Sequence, residues 1–106
     1  MSIVVSDTSP IRAFHFLKQT DTLRVLFNTV IIPPAVANEL AHPHRTFDPL
    51  DLSAFQFIEV RTPHDRQRVE QYAAALDLGE AEAIVLAIEL STMLLSHRAK
   101  IVRRIP

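Results

Sequence analysis

Three carboxylates, Asp7, Glu39 and Glu80, stand where this 106-residue chain could gather them in one crevice as metal ligands or bases. Asp7 follows Ile3-Val4-Val5, and three β-branched residues in a row suit a strand buried on both faces of a parallel sheet. In open α/β sheets the carboxyl ends of strands open into the ligand crevice. A carboxylate there can hold a metal or act as a base; the plainer reading is a cap for the helix that Thr8-Ser9-Pro10 begins. Glu39 comes three residues after Val36 on a predicted helix and borders its buried face, where an isolated glutamate is more often simply solvated. Glu80 follows Gly79, which permits a sharp turn into a long apolar helix. It flanks the inward cluster Ala81, Ile84, Val85 and Ile88, whereas Glu82 and Glu89 fall on the opposite side with Leu86 as their apolar exception. That geometry favours Glu80 over Glu82 as the functional acid. Hard divalent cations want clustered oxygens, and Mg²⁺ keeps waters that can serve as the nucleophile. Mutual repulsion among three acids raises at least one pKa until such a cation arrives.

The elements that must position these groups follow from periodicity and punctuation. Ile11, Phe14 and Leu17 mark the inward face of a helix running to Lys18. A short helix fits residues 21–27, with Leu23, Leu26 and Phe27 inward. Val30-Ile31-Ile32 reads as the second strand, and Pro33-Pro34 stops it and starts a third helix with Val36 and Leu40 one turn apart. Residues 42–52 hold two prolines and no period, which predicts a loop over the crevice. His42, His44 and Asp48 could supply zinc ligands there, but no regular element supports so short a spacing. Phe57 to Val60 suits a third strand at an edge, and residues 65–76 a charged helix with Val69, Tyr72, Ala73 and Leu76 inward. Met93-Leu94-Leu95 reads as a fourth strand ended by Ser96-His97, with a short basic helix after it. Four strands separated by helices predict one domain over residues 1–106, a doubly wound α/β layer with right-handed crossovers.

Composition excludes several alternatives. A formal charge of −1 gives no global attraction to nucleic acid, so any such contact must come from local basic clusters. The lack of cysteine removes disulfides and thiolate metal sites, and the single glycine leaves no phosphate-cradling loop. No basic segment leads into an apolar core at the amino terminus, and Glu82 and Glu89 interrupt the longest apolar stretch. A cytoplasmic protein without a membrane segment is the expectation.

Three motifs, in order, resemble the PIN-domain family, in its branch of VapC-type toxins and PIN nucleic-acid-binding proteins. They are Val-Val-Ser-Asp7-Thr-Ser-Pro, then Leu-x-x-Leu-Phe-Asn-x-Val-Ile-Ile-Pro33-Pro-Ala-Val-x-x-Glu39-Leu, then Leu-Asp-x-Gly79-Glu80-x-Glu-Ala-Ile-x-Leu-Ala. The resemblance implies a three-layer α/β/α sandwich around a central parallel sheet of about four strands. It also implies cleavage of RNA phosphodiesters with Mg²⁺ or Mn²⁺, an antitoxin-like protein partner, and a homo-oligomer. Carried over by position, the catalytic and metal-binding residues are Asp7, Glu39 and Glu80, with auxiliary hydroxyls at Thr8 and Ser9. The family expects a further acid after the fourth strand, where this chain has Ser96-His97, and it expects more chain beyond Pro106. Ser96 offers a neutral oxygen, and His97 suits Mn²⁺ better than Mg²⁺. Both departures fall in one place, which predicts a shortened copy: a nuclease, or a binding or oligomerisation module that no longer cuts.

Overall fold

A computed structural model describes residues 3–45 and 47–104, with side chains through residue 93. The first strand, β1 (Ile3–Val5), leads into α1 (Thr8–Phe16) and α2 (Thr20–Leu26), and β2 (Thr29–Ile32) leads into α3 (Pro34–Leu40). A single 3₁₀ turn at Leu52–Ala54 precedes β3 (Ile58–Val60), then come α4 (Arg66–Ala73) and α5 (Leu78–Arg104). The three strands form one parallel sheet in the order β1-β2-β3, with Val30 paired to Val4 on one side and to Ile58 on the other.

β2 is central, which explains its unbroken apolar run: Val30, Ile31 and Ile32 are all buried. Val30 and Ile32 share one face and join a core with Ile11, Leu23, Val36, Leu40 and Leu50. Leu50 pins the irregular 42–52 segment to this core, its N–H donating to the Leu40 carbonyl at 2.8 Å. A second cluster packs Val69 of α4 against Ala81 and Val85 of α5.

Four expectations need correcting. Met93-Leu94-Leu95 is not a fourth strand; it lies within α5, as do Ser96 and His97, whose side chains fall outside the described residues. No proline or glycine interrupts the chain after Gly79 until Pro106, and Thr92 Oγ1 donates back to the Ile88 carbonyl at 3.0 Å as in a continuing helix. Three apolar residues fit either state, and here helix continuity wins. β1 is consequently an edge, with no strand on its outer side among the described residues. Leu17, Leu26 and Leu76 are exposed rather than inward, because each stands at or beyond the end of its helix. On α5, Ile84 is 41 % exposed while Glu82 and Leu86 are buried.

The reason for that last exchange is polar. Glu82 accepts the Ala35 N–H at 2.9 Å, satisfying a donor at the start of α3, and pairs with Arg66 at 2.7 Å. Two turns along, Glu89 accepts the N–H groups of His64 and Asp65 ahead of α4. These glutamates fasten α5 to the starts of two other helices.

Candidate functional site

The ends of α1, α3 and α5 meet beside the carboxyl end of β1. Asp7 is extended and caps α1, its Oδ1 accepting the Thr8 N–H at 2.7 Å. Thr8 is buried and its hydroxyl donates to Glu39 Oε2 at 2.9 Å, tying the last turn of α3 to the first turn of α1. Glu39 Oε1 lies against Gly79 so closely that a Cβ on that glycine would stand 2.8 Å from it. The lack of a side chain at residue 79, rather than an unusual backbone angle, is what lets the Glu39 carboxylate lie this close to the start of α5.

Asp77 caps α5 by accepting the Glu80 N–H at 2.8 Å, the Asp-x-x-Glu arrangement of a capping box. A hydrogen bond to the Asp77 carboxylate, the charge of that group, partial desolvation and the charge of Asp7 together raise the Glu80 pKa above its ordinary value. The Glu80 N–H holds Asp77 below the usual carboxylate range. Asp7 and Glu80 line one hollow of about 260 Å³, floored by Val5, Ala83 and Ala87.

Two of the three predicted acids therefore share a hollow. Glu39 stands on the other side of Thr8, where with Thr8 and Ser9 it lines an adjoining cleft of about 400 Å³. Among the described residues no three Asp, Glu or His side chains lie close enough to hold one ion together. Each acid is engaged locally: Glu39 with Thr8, Glu80 with Asp77. His42 and His44 line the Glu39 cleft, but Asp48 lines a different hollow and His42 Nδ1 lies 2.7 Å from the Asn38 carbonyl. The chemistry of the donor set still fits a magnesium-like ion. Mg²⁺ is commonly held by one or two carboxylates with the remaining positions filled by water. The excess negative charge of Asp7, Asp77 and Glu80, visible in the raised Glu80 pKa, is what a cation would relieve.

Two residues here carry roles that sequence reasoning did not assign. Asp77 was findable, since Asp-x-x-Glu directly before an apolar run is a helix-start signature. Arg12 is only 7 % exposed within α1, and its Nη2 donates to the carbonyls of Glu39 and His42 at the end of α3. Its one signal is a cation placed directly after the buried Ile11. No helix among the described residues is long and apolar enough to cross a membrane.

A family model described as a PIN domain matches residues 3–105. No curated protein and no solved structure matches the chain.

Proposed function

The chain belongs to the PIN-domain family, and on that premise we propose that it is an Mg²⁺- or Mn²⁺-dependent ribonuclease working through Asp7, Glu39 and Glu80. The observation that carries the proposal is the hollow that Asp7 and Glu80 line together at the carboxyl end of β1, with the Glu80 proton held more tightly than usual. When bound there, a divalent cation supplies charge neutralisation and a more acidic water. Asp7 and Glu80 would hold it, and Glu39 would join them by turning from Thr8. Thr8 keeps the Glu39 carboxylate at the site's edge, and Asp77 aims Glu80 by fixing the first turn of α5. Hydrolysis then joins a water oxygen to phosphorus and breaks one phosphodiester P–O bond, with Ser9 beside the Thr8–Glu39 wall as an auxiliary contact. In this reading α4 and α5 form the helical layer on the second face of the sheet.

One observation favours a second reading, a module that binds RNA or an antitoxin-like protein without cutting. The three carboxylates are not gathered into a single ligand set among the described residues. Self-association, or the toxin half of a toxin–antitoxin pair, would use exposed apolar residues on α5 such as Ile84 and Met93.

The deciding experiment is cleavage of single-stranded RNA across an Mn²⁺ titration, comparing the protein with Asp7→Asn. A nuclease cuts with saturable Mn²⁺ dependence and loses roughly 100-fold or more in Asp7→Asn, by analogy with removing one preorganised electrostatic group. Equal cleavage by both proteins, or none at saturating Mn²⁺, rejects the nuclease reading.

A further inference from the structure

We propose that the cleft between α1 and the 42–50 segment binds a phosphate of a single-stranded RNA, with Arg12 at its base and Arg45 at its rim. The choice of RNA rests on the ribonuclease reading above; the anion site itself rests on three separate observations.

The first is the buried guanidinium. Arg12 is 7 % exposed and lines the cleft, yet it pairs with no carboxylate among the described residues. Nη2 is satisfied by two backbone carbonyls, but Nη1 is buried with no hydrogen-bond partner. A buried donor left unpaired on a full positive charge is costly, and an anion seated beside the guanidinium offsets that charge.

The second is backbone strain at the rim. His44 and Phe47 bond to each other through both backbone groups, at 3.2 and 2.9 Å. Arg45, directly after His44, stands at φ 54°, a left-handed conformation suited to glycine or asparagine. A long cation held in an unfavourable backbone position above a cleft is a pattern that function explains better than stability.

The third is composition. The cleft adds the hydroxyls of Thr8 and Ser9 and the imidazoles of His42 and His44. A neighbouring hollow of about 300 Å³ shares Arg12 and Phe47 with it and brings Lys18 and His15. Glu39 and Asp48 are the carboxylates facing these spaces, so cations outnumber them in a chain whose net charge is −1. A guanidinium fork with hydroxyl donors recognises phosphate oxygens, and Phe47, lining both hollows, offers an apolar ring for a base. Because Thr8 and Glu39 belong to the cleft as well as to the carboxylate site, a strand seated here would run towards Asp7 and Glu80.

The test measures binding of a short labelled oligouridylate in EDTA, where cleavage plays no part, between about 50 and 200 mM salt. Arg45→Gly removes the cation and also relieves the left-handed backbone. Its thermal midpoint should stay level or rise while affinity falls several-fold and the salt slope drops by about one phosphate contact. Arg24→Ala, on the distant α2 surface, should leave affinity within twofold. Inorganic phosphate should compete with the oligonucleotide, and polyglutamate should compete less well. Unchanged affinity and slope in Arg45→Gly overturn the proposal, as does polyglutamate competing better than phosphate, which would make the cleft a carboxylate site for an acidic protein. RNA binding that depends on Arg45 without any Mn²⁺-supported cleavage would sustain the cleft and reject the nuclease.

Discussion

Replacing Gly79 with alanine sets the helix and the site against each other. Gly79 is the second residue of α5 and has no left-handed backbone, so alanine fits its conformation and favours the helix by up to roughly 0.5–1 kcal/mol. The new Cβ would lie 3.4 Å from Val36 Cγ2 and 3.5 Å from Asp77 Oδ1, both tolerable, but 2.8 Å from Glu39 Oε1. Reaching the 3.4 Å of ordinary contact requires that carboxylate to withdraw by about 0.6 Å. The atom is the far end of a flexible side chain, so the backbone need not move. Strain falls instead on the 2.9 Å hydrogen bond from Thr8, worth about 0.5–1.5 kcal/mol. These contributions nearly cancel, and the expected stability change lies within about 1 kcal/mol, or a few degrees in Tm. Function should not be spared. On the proposed ribonuclease reading, a displacement of this size in Glu39 costs on the order of 10-fold, since a 1 Å error can cost about 100-fold. Circular dichroism melts, Mn²⁺ calorimetry and RNA cleavage measured together decide the matter. A stable Gly79→Ala protein with undiminished Mn²⁺ affinity and cleavage would show that the position of Glu39 is irrelevant to the site. A protein that fails to fold would refute the claim that the contact yields.

Two further substitutions probe the surroundings. Asp77→Asn keeps a side chain that caps helices equally well, so stability should change by less than about 0.5 kcal/mol. It removes the carboxylate whose hydrogen bond and charge, in that order, do most to raise the Glu80 pKa. Proton and cation compete for Glu80, so Mn²⁺ affinity in the parent protein should fall as pH drops through a range lying above the ordinary glutamate value of 4.5. In Asp77→Asn that fall should move to lower pH; calorimetric titrations giving the same profile for both proteins would contradict the assignment. Lys18→Gly concerns stability alone. Lys18 adopts φ 57° just past α1, where Lys18 N–H donates to the His15 carbonyl and Gln19 N–H to the Phe14 carbonyl, the bonding of a glycine-type helix end. Glycine there should stabilise by roughly 0.5–1 kcal/mol in urea denaturation, and no gain would mean that the left-handed backbone carries little strain.

Much of the scaffold could be read without coordinates, and the reasons are local. Val30-Ile31-Ile32 followed by two prolines allows few structures besides a buried strand that ends abruptly, and Val36 with Leu40 repeats at the helical period on its own. Met93-Leu94-Leu95 lacked such punctuation. Three apolar residues suit strand and helix alike, and the outcome depended on α5 meeting no breaker. The inward and outward faces of α5 were misassigned at Ile84 and Glu82 because a helical wheel assumes one buried stripe. α5 packs against both α3 and α4, and unsatisfied N–H groups at the starts of those helices recruit Glu82 and Glu89.

The order of motifs along the chain by itself determined the parallel α/β scaffold and placed Asp7, Glu39 and Glu80 at the ends of elements that adjoin β1. Side-chain company at those ends was left to tertiary structure. Local spacing cannot specify that Thr8 ties up Glu39 or that Arg12 is buried with a donor to spare. Those outcomes depend on hydrogen bonds and charges contributed across about 30 residues of intervening chain, which come into range only once α1, α3 and α5 have docked on the sheet.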